Sequence, residues 1–178
     1  MSGDQHLVLE PAQRQQASLR QLLQTLVSGG QAGVDRAALD WAIAHDYRHG
    51  GWCPRGRLAE DGVLHARYAL QETESAGYRQ RTKANVRDSD ATLIINREAL
   101  EGGTLQTQRF AEAMRKPFLL AQLDEQPASV LAAQVLAWLR EQPIAVLNVA
   151  GPRESKRPGI YAQTWDLLDA IAAQNGDA

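Results

Sequence analysis

The 178-residue sequence has a single cysteine and no apolar run long enough to cross a membrane. Because Cys53 has no second cysteine to pair with, an intrachain disulfide and a four-cysteine zinc site are both excluded. This fits a reducing compartment, and we expect a cytoplasmic protein. The formal net charge of −2 gives no general attraction to nucleic acid or to an anionic membrane, and we expect neither as a partner.

Signatures of targeting and catalysis are also missing. Residues 1–20 are polar and rich in glutamine, without the basic and apolar segments of a signal peptide, so we treat them as a polar N-terminal extension. The sequence has no G-x-S-x-G nucleophile elbow, and no base is identifiable for Ser28. Neither H-E-x-x-H spacing nor a metal-ligand cluster is formed by the histidines, which are His6, His45, His49 and His65. We therefore predict no metal site, and the catalytic residues, if any, are not identified.

What is present is an alternation of short apolar runs with amphipathic helical patterns. Such alternation predicts βαβ units, a parallel sheet and right-handed connections. The continuous apolar run over residues 91–95 suits a sheet that is covered on both faces. We expect one ligand-binding α/β domain over residues 21–178. Its fold is a three-layer, Rossmann-like arrangement in which a predominantly parallel sheet of about five or six strands has helices on both faces. The predicted strands cover residues 22–27, 47–53, 91–96, 118–123 and 144–150, and helices are predicted from residue 34, over 78–87 and 104–115, around 131–139 and from about 158.

A glycine-rich segment, S-G-G-Q-A-G-V-D over residues 28–35, lies between the first predicted strand and helix. Glycines let the backbone approach a ligand, and the free N–H groups of a helix start face an anion. The spacing matches neither G-x-G-x-x-G nor a P-loop. The alternative is a tight turn in which Asp35 starts the helix.

Three more segments follow predicted strands, and the carboxyl ends of parallel strands meet at one edge of a sheet. Residues 101–104 read E-G-G-T, where Thr104 either caps a helix or contacts a phosphate. Arg55 and Arg57 offer fork-shaped donors to an anion, or pair at the surface with Glu60 and Asp61. Residues 148–157 add positive charge near Gly151 and Ser155, or form an ordinary loop before a helix.

Long blocks of the sequence resemble one known family. V-S-G-G-Q-A-G-V-D-R-A-A-L-D, over residues 27–40, is similar to the opening signature of the family named putative molybdenum carrier, which normally reads S-G-G-Q-T-G-V-D-R-A-A-L-D. Residues 50–62 and 78–90 resemble its second and third blocks, and residues 102–104 and 147–155 complete the pattern. The resemblance covers residues 25–170.

The resemblance implies a non-catalytic carrier of molybdenum cofactor, a pterin that bears a phosphate. The family's fold is similar to that of the lysine-decarboxylase-like proteins, which include cytokinin-activating phosphoribohydrolases, bind nucleotide-derived ligands and commonly form dimers or tetramers. This chain departs from the pattern at Ala32, where the family has threonine. It departs from the phosphoribohydrolase motif P-G-G-x-G-T-x-x-E at Thr107, the position of the catalytic glutamate.

Together these features predict a carrier that binds a phosphorylated pterin or a nucleotide-derived ligand and forms a homo-oligomer, either a dimer or a tetramer. The alternative is a nucleotide-processing hydrolase of the N-glycosidase or phosphoribohydrolase type. Molybdenum cofactor (molybdopterin) or a nucleotide is the expected cofactor. The expected binding residues are Ser28, Gly29, Gly30, Gln31, Gly33, Asp35, Arg55, Arg57, Glu60, Asn85, Gly102, Gly103, Thr104, Gly151, Arg153 and Ser155.

Overall fold

The computed structural model describes residues 9–174, so that predictions for residues 1–8 and 175–178 lie outside the described residues. The helices are α1 (Pro11–Arg14), α2 (Leu19–Leu22), α3 (Val34–Ala44), α4 (Tyr78–Arg87), α5 (Gly102–Ala113), α6 (Ala128–Glu141) and α7 (Ile160–Ala173). The strands are β1 (Thr25–Val27), β2 (Arg48–Gly50), β3 (Trp52–Cys53), β4 (Leu58–Ala59), β5 (Gly62–Val63), β6 (Gln71–Glu72), β7 (Ala91–Asn96), β8 (Phe118–Gln122) and β9 (Val146–Ala150). None of these helices is both long and apolar enough to cross a membrane.

Five parallel strands form the central sheet, in the order β2-β1-β9-β7-β8. Helices α3, α6 and α7 pack side by side on one face, while α4 and α5 pack together on the other. The predicted three-layer, Rossmann-like α/β fold is therefore confirmed. If β9 and α7 preceded β1 in the chain, the order would read 3-2-1-4-5, as in doubly wound sheets. The strand that belongs at the centre of the sheet thus comes last in the sequence.

The main core lies between the sheet and the helices of both layers. All six residues of β7 are buried, as expected for a central strand covered on both faces. A smaller apolar cluster forms beside α3, where Leu39 packs with Cys53, Leu64 and Tyr68. Cys53 is fully buried in this cluster, which assigns it a packing role.

The predicted strand over residues 47–53 is interrupted at Gly51, so that residues 48–50 form β2 and residues 52–53 form a separate strand, β3. This glycine has a φ of 124°, and a Cβ on it would lie 2.3 Å from the carbonyl oxygen of Ser28. Strand β2 therefore stays in the main sheet, while β3 leaves it and pairs with β6. Residues 52–77 form a separate subdomain with two short two-stranded sheets, β3–β6 and β4–β5.

The observed bounds of several helices differ from the predicted ones for local reasons. Helix α2 takes up part of the predicted first strand, because Ser18 caps it by accepting a hydrogen bond from Gln21 N–H. Helix α7 begins at Ile160, since Gly159 adopts a left-handed φ of 87° immediately before it. Helix α5 begins at Gly102, two residues before its predicted start. Helix α4 has the predicted bounds.

The part of the N-terminal extension that the structure describes is docked by a buried arginine. Arg14 is 9% exposed and donates hydrogen bonds to the carbonyls of Leu139, Arg140 and Gln142. These carbonyls belong to the C-terminal end of α6, where helix carbonyls lack intrahelical partners and favour a cation. The boundary between the extension and the domain at residue 20 stays a prediction.

Replacing Arg14 is expected to destabilise the whole domain. Arg14→Gln leaves buried carbonyls without donors and should lower the free energy of unfolding by about 1–3 kcal/mol. Chemical denaturation measures this, with Gln16→Ala as the control because Gln16 is exposed on the same segment. Equal stability of the two variants would contradict the docking role.

Candidate functional site

A cavity of about 330 Å³ opens where β1, β7 and β9 end. Its volume lies within the range of small-molecule sites. Nine of the expected binding residues line it, namely Gly29, Gln31, Asp35, Asn85, Gly102, Gly103, Thr104, Gly151 and Arg153. The sheet thus brings three of the four predicted segments to one place.

The first glycine turn, residues 28–33, is largely occupied by contacts within the protein. Ser28 is buried, and its hydroxyl donates to the carbonyl of Val149 at 2.6 Å. The main-chain N–H of Gln31 donates to the Asp35 carboxylate at 3.4 Å. Gly30 packs on leucine side chains, and Gly33 on the main chain of residues 152–154. Within the turn, Gly29 and Gln31 line the cavity, and the phosphate contacts expected of the turn stay a prediction.

Arg81 is a site residue that the sequence did not single out. This side chain on α4 is 7% exposed and lines the cavity. Its Nη1 donates to the carbonyl of Gly29 at 2.7 Å and lies 3.4 Å from Oδ2 of Asp35. A Cβ on Gly29 would lie 2.3 Å from that Nη1, so the packing of Arg81 requires the glycine. The sequence signal was the spacing of Arg81 and Asn85, which stand four residues apart and therefore share one face of α4; both are buried in the structure.

The buried pair of Asp35 and Arg81 has two electrostatic consequences. Burial raises the pKa of the Asp35 carboxyl group above its ordinary value, and the Arg81 guanidinium opposes part of that rise. The Nε of Arg81 is buried without a hydrogen-bond partner among residues 9–174. An unpaired buried donor is costly, so the site retains hydrogen-bonding capacity that the protein itself does not use.

The N-terminus of α5 opens into the same cavity. Its first helical hydrogen bond runs from Leu105 N–H to the Glu101 carbonyl at 3.2 Å, so the N–H groups of Gly102, Gly103 and Thr104 precede the helical ladder. Gly102 has a φ of 51°, which favours glycine. Gly103 has no such φ, and a Cβ on it would meet no atom within 4 Å. Within residues 9–174, neither packing nor backbone conformation therefore requires the glycine at position 103. Thr104 is the third residue of α5 and is not its cap.

The walls of the cavity carry an excess of positive charge. Among the residues that the structure describes, four cationic side chains line it, against the carboxylates of Asp35 and Glu101. Lys156 Nζ lies 3.6 Å from Glu101 Oε1, and Arg157 Nη1 lies 3.4 Å from the same oxygen. The four cations are Arg81, Arg153, Lys156 and Arg157. The excess of positive over negative side chains around the cavity favours an anionic ligand.

The deepest lining residues are uncharged and polar. Asn148 is 2% exposed, and its Nδ2 lies 3.2 Å from the hydroxyl of Thr92. Thr107 is 3% exposed and donates to the Gly103 carbonyl at 2.9 Å. Thr107 occupies the position of the phosphoribohydrolase glutamate, so α5 brings no carboxylate to the cavity from this turn.

The remaining expected residues lie outside the cavity or bind within the protein. Ser155 N–H donates to Glu60 at 3.1 Å, and Glu60 Oε2 lies 3.4 Å from Arg153 Nε. Asn85 lines the cavity, but its amide exchanges hydrogen bonds with the main chain of Trp52, at 2.8 and 2.9 Å. These contacts tie the 52–77 subdomain to the sheet. The expected residues that do not line the cavity are Ser28, Gly30, Gly33, Arg55, Arg57, Glu60 and Ser155.

Arg57 organises the subdomain from within. Its guanidinium donates to the carbonyls of residues 64, 65, 68 and 70 at 2.9–3.2 Å. Arg55 has no side-chain hydrogen bond or ion pair to any residue in the described range 9–174. The two arginines are close in sequence but differ completely in their surroundings.

This difference generates a stability prediction. Arg57→Lys removes the planar fork that reaches four carbonyls, so the free energy of unfolding should fall by about 2–4 kcal/mol. Arg55→Lys is the matched control and should change stability by less than about 0.5 kcal/mol. Denaturation of both variants checks this, and a stable Arg57→Lys protein would contradict the structural role.

The raised pKa of Asp35 generates a prediction about pH. The folded protein binds a proton on Asp35 more tightly than the unfolded chain does, so stability from this group falls as pH rises from about 4, the unfolded pKa, through the folded pKa. Asp35→Asn does not titrate. The free energy of unfolding of the wild type relative to Asp35→Asn should therefore decrease over that window, by about 1.4 kcal/mol for each pH unit between the unfolded and the folded pKa. A difference that increases with pH would reverse the sign and contradict the burial effect.

The chain is similar to a protein of known structure. A protein named "Putative molybdenum carrier protein" from Syntrophus aciditrophicus SB, with a crystal structure at 1.45 Å resolution, has 47% sequence identity to this chain and a TM-score of 0.83. The match covers 84% of this chain and 95% of that one. No curated protein matches the chain.

A family model gives the classification. It matches residues 26–172, which include every strand of the central sheet apart from Thr25 and every residue that lines the cavity. Its description as circularly permutated agrees with the placement of the central strand β9 at the end of the sequence. The chain belongs to the circularly permutated YpsA SLOG family.

Proposed function

We propose that this protein is a non-catalytic carrier that binds a phosphorylated pterin or a nucleotide-derived ligand in the cavity between β1, β7 and β9. The single observation that carries the proposal is Gly103. Glycine is a poorer helix former than alanine, and neither the backbone nor the packing of the described residues requires it at this second position of α5. A ligand that approaches the main chain of α5 closely would explain it.

The proposed position of the phosphate is the start of α5. The N–H groups of Gly102, Gly103 and Thr104 are directed by the helix toward an anion, and the helix dipole adds to the attraction. Lys156 and Arg157 line the cavity beside them. Arg81, with its unpaired Nε, supplies a further donor deeper in the site.

Molybdenum cofactor fits this donor set in part. Its phosphate matches the cationic helix start, and the polar floor with Asn148 offers hydrogen bonds to a ring. Residues 9–174 contain no group of three His, Cys, Asp or Glu side chains able to hold a metal ion, and Cys53 is buried away from the cavity. In a loaded carrier the pterin, and not the protein, would therefore hold the molybdenum. The name of the Syntrophus aciditrophicus protein supports this choice of cargo.

Carriage is preferred to hydrolysis because of the carboxylates. Among the lining residues, Glu101 pairs with Lys156 and Arg157, and Asp35 with Arg81. Both lining carboxylates are thus paired with cations, and Thr107 stands at the glutamate position of the phosphoribohydrolase motif. A protein that holds its ligand without cleaving it matches this arrangement.

We also infer a cytoplasmic homo-oligomer, a dimer or a tetramer. The paired residues Leu58 and Val63 of the β4–β5 hairpin are 43% and 72% exposed, which supports a contact between subunits. Sedimentation of the purified protein gives the number of subunits, and a monomer at all concentrations would refute the inference.

Direct loading tests the function. The protein is incubated with purified molybdenum cofactor, separated by gel filtration and analysed for molybdenum and pterin, in parallel with adenosine 5′-monophosphate (AMP) and guanosine 5′-monophosphate (GMP). We expect an intact ligand to co-elute, and a ligand at 100 times its dissociation constant to stabilise the fold by about 2.7 kcal/mol. Release of free base or ribose phosphate would instead establish the hydrolase alternative.

Gly103→Ala separates a ligand role from a structural one. Alanine should raise the free energy of unfolding by up to about 1 kcal/mol, while its methyl group blocks the anion and weakens binding of the phosphorylated ligand by about tenfold or more. Gly77→Ala, at the start of α4 and outside the cavity lining, should leave binding unchanged. Unaltered affinity in Gly103→Ala would place the phosphate elsewhere.

A further inference from the structure

The carboxylate of Glu101 lies among the cations of the cavity. Its Oε1 is 3.6 Å from Lys156 Nζ and 3.4 Å from Arg157 Nη1, and all three residues line the cavity. Glu101 immediately precedes Gly102 and Gly103, at the N-terminus of α5. The side chain therefore places a negative charge beside the position proposed for the phosphate.

Only these ion pairs hold the Glu101 side chain within the described residues. It makes no hydrogen bond to the start of α5, and it is 52% exposed. Pairs of this exposure are weak, because water screens them and the side chains lose rotational freedom when they meet. Glu101 can thus leave its partners at little cost.

Arg157 differs from Glu101 in how firmly it is held. Its side chain is 12% exposed and donates to the carbonyls of Arg97 and Ala99 at 2.9 and 3.4 Å. A second carboxylate, that of Glu98, lies 3.5 Å from Arg157 Nε, but Glu98 does not line the cavity. The cation is fixed, while the carboxylate facing the cavity is mobile enough to be exchanged.

We propose that Glu101 is an internal competitor of the ligand, a carboxylate that pairs with Lys156 and Arg157 until a phosphate displaces it. This inference rests on the proposed function of the same site. A phosphate at the start of α5 would repel Glu101 and attract the same two cations, so binding exchanges one set of ion pairs for another. When the ligand leaves, Glu101 pairs with Lys156 and Arg157 again, which lowers the free-energy cost of release. A carrier that delivers its ligand requires such release.

The test compares Glu101→Gln with Glu98→Gln, which removes a carboxylate from the same loop and the same arginine outside the cavity. Titration calorimetry measures the dissociation constants of AMP, GMP and inorganic pyrophosphate, with adenosine as the uncharged probe. Glu101→Gln should tighten binding of the phosphorylated probes about two- to tenfold and leave adenosine unchanged. Glu98→Gln should bind every probe as the wild type does. Thermal unfolding without ligand verifies that both variants are folded.

The outcomes separate the two proposals. If a phosphorylated probe binds the wild type and Glu101→Gln binds it equally or more weakly, the competition is refuted while the proposed function stands. Equal tightening in both variants would also refute it, because general loss of negative charge would then be the cause. If none of the three phosphorylated probes binds any of the proteins, the start of α5 is not a phosphate site, so the proposed position of the phosphate fails and the competition with it.

Discussion

The guanidinium of Arg81 connects the parts of the structure that form the cavity. It reaches from α4 to the Gly29 carbonyl at the end of β1 and to the carboxylate at the start of α3. Without Arg81, the charge of Asp35 would be buried without a cationic partner at this distance, which is strongly unfavourable. The contact also determines the sequence of the first turn, because the guanidinium occupies the space that a side chain at position 29 would need. Three elements are thereby held at one edge of the sheet.

The order of the strands explains why the cavity lies there. Strand β1 leads to β2 on one side of the sheet, and β7 leads to β8 on the other. In a doubly wound sheet the ligand lies outside the carboxyl ends of the strands, where the connections diverge. Here β9 fills the space between β1 and β7, and its following loop adds Arg153, Lys156 and Arg157 to the wall. The strand that comes last in the chain thus supplies much of the positive charge at the centre of the site.

Local sequence patterns predicted most helices and strands of this fold. A strand that is buried on both faces, such as β7, has a continuous apolar run, and a helix that is buried on one face, such as α7, has apolar residues at helical spacing. The predicted parallel direction of the strands also placed Gly103, Gly151 and Arg153 at the same edge of the sheet, where they line one cavity. What the local patterns did not predict depends on contacts distant in sequence. The turn at Gly51 packs against the Ser28 carbonyl, which leaves no room for a side chain, and the Arg57 guanidinium donates to carbonyls of a turn that follows it. An isolated arginine in a sequence has the same appearance whether it binds a ligand or its own main chain.

The proposed function requires that the start of α5, and not the first glycine turn, receives the phosphate. A crystal structure of the protein with bound AMP would show which of the two does. We expect phosphate oxygens at the N–H groups of Gly102 and Gly103 and within hydrogen-bond distance of Lys156 or Arg157, with the nucleotide intact. A phosphate bound instead at Gly29 and Gly30, with the start of α5 left open, would contradict it.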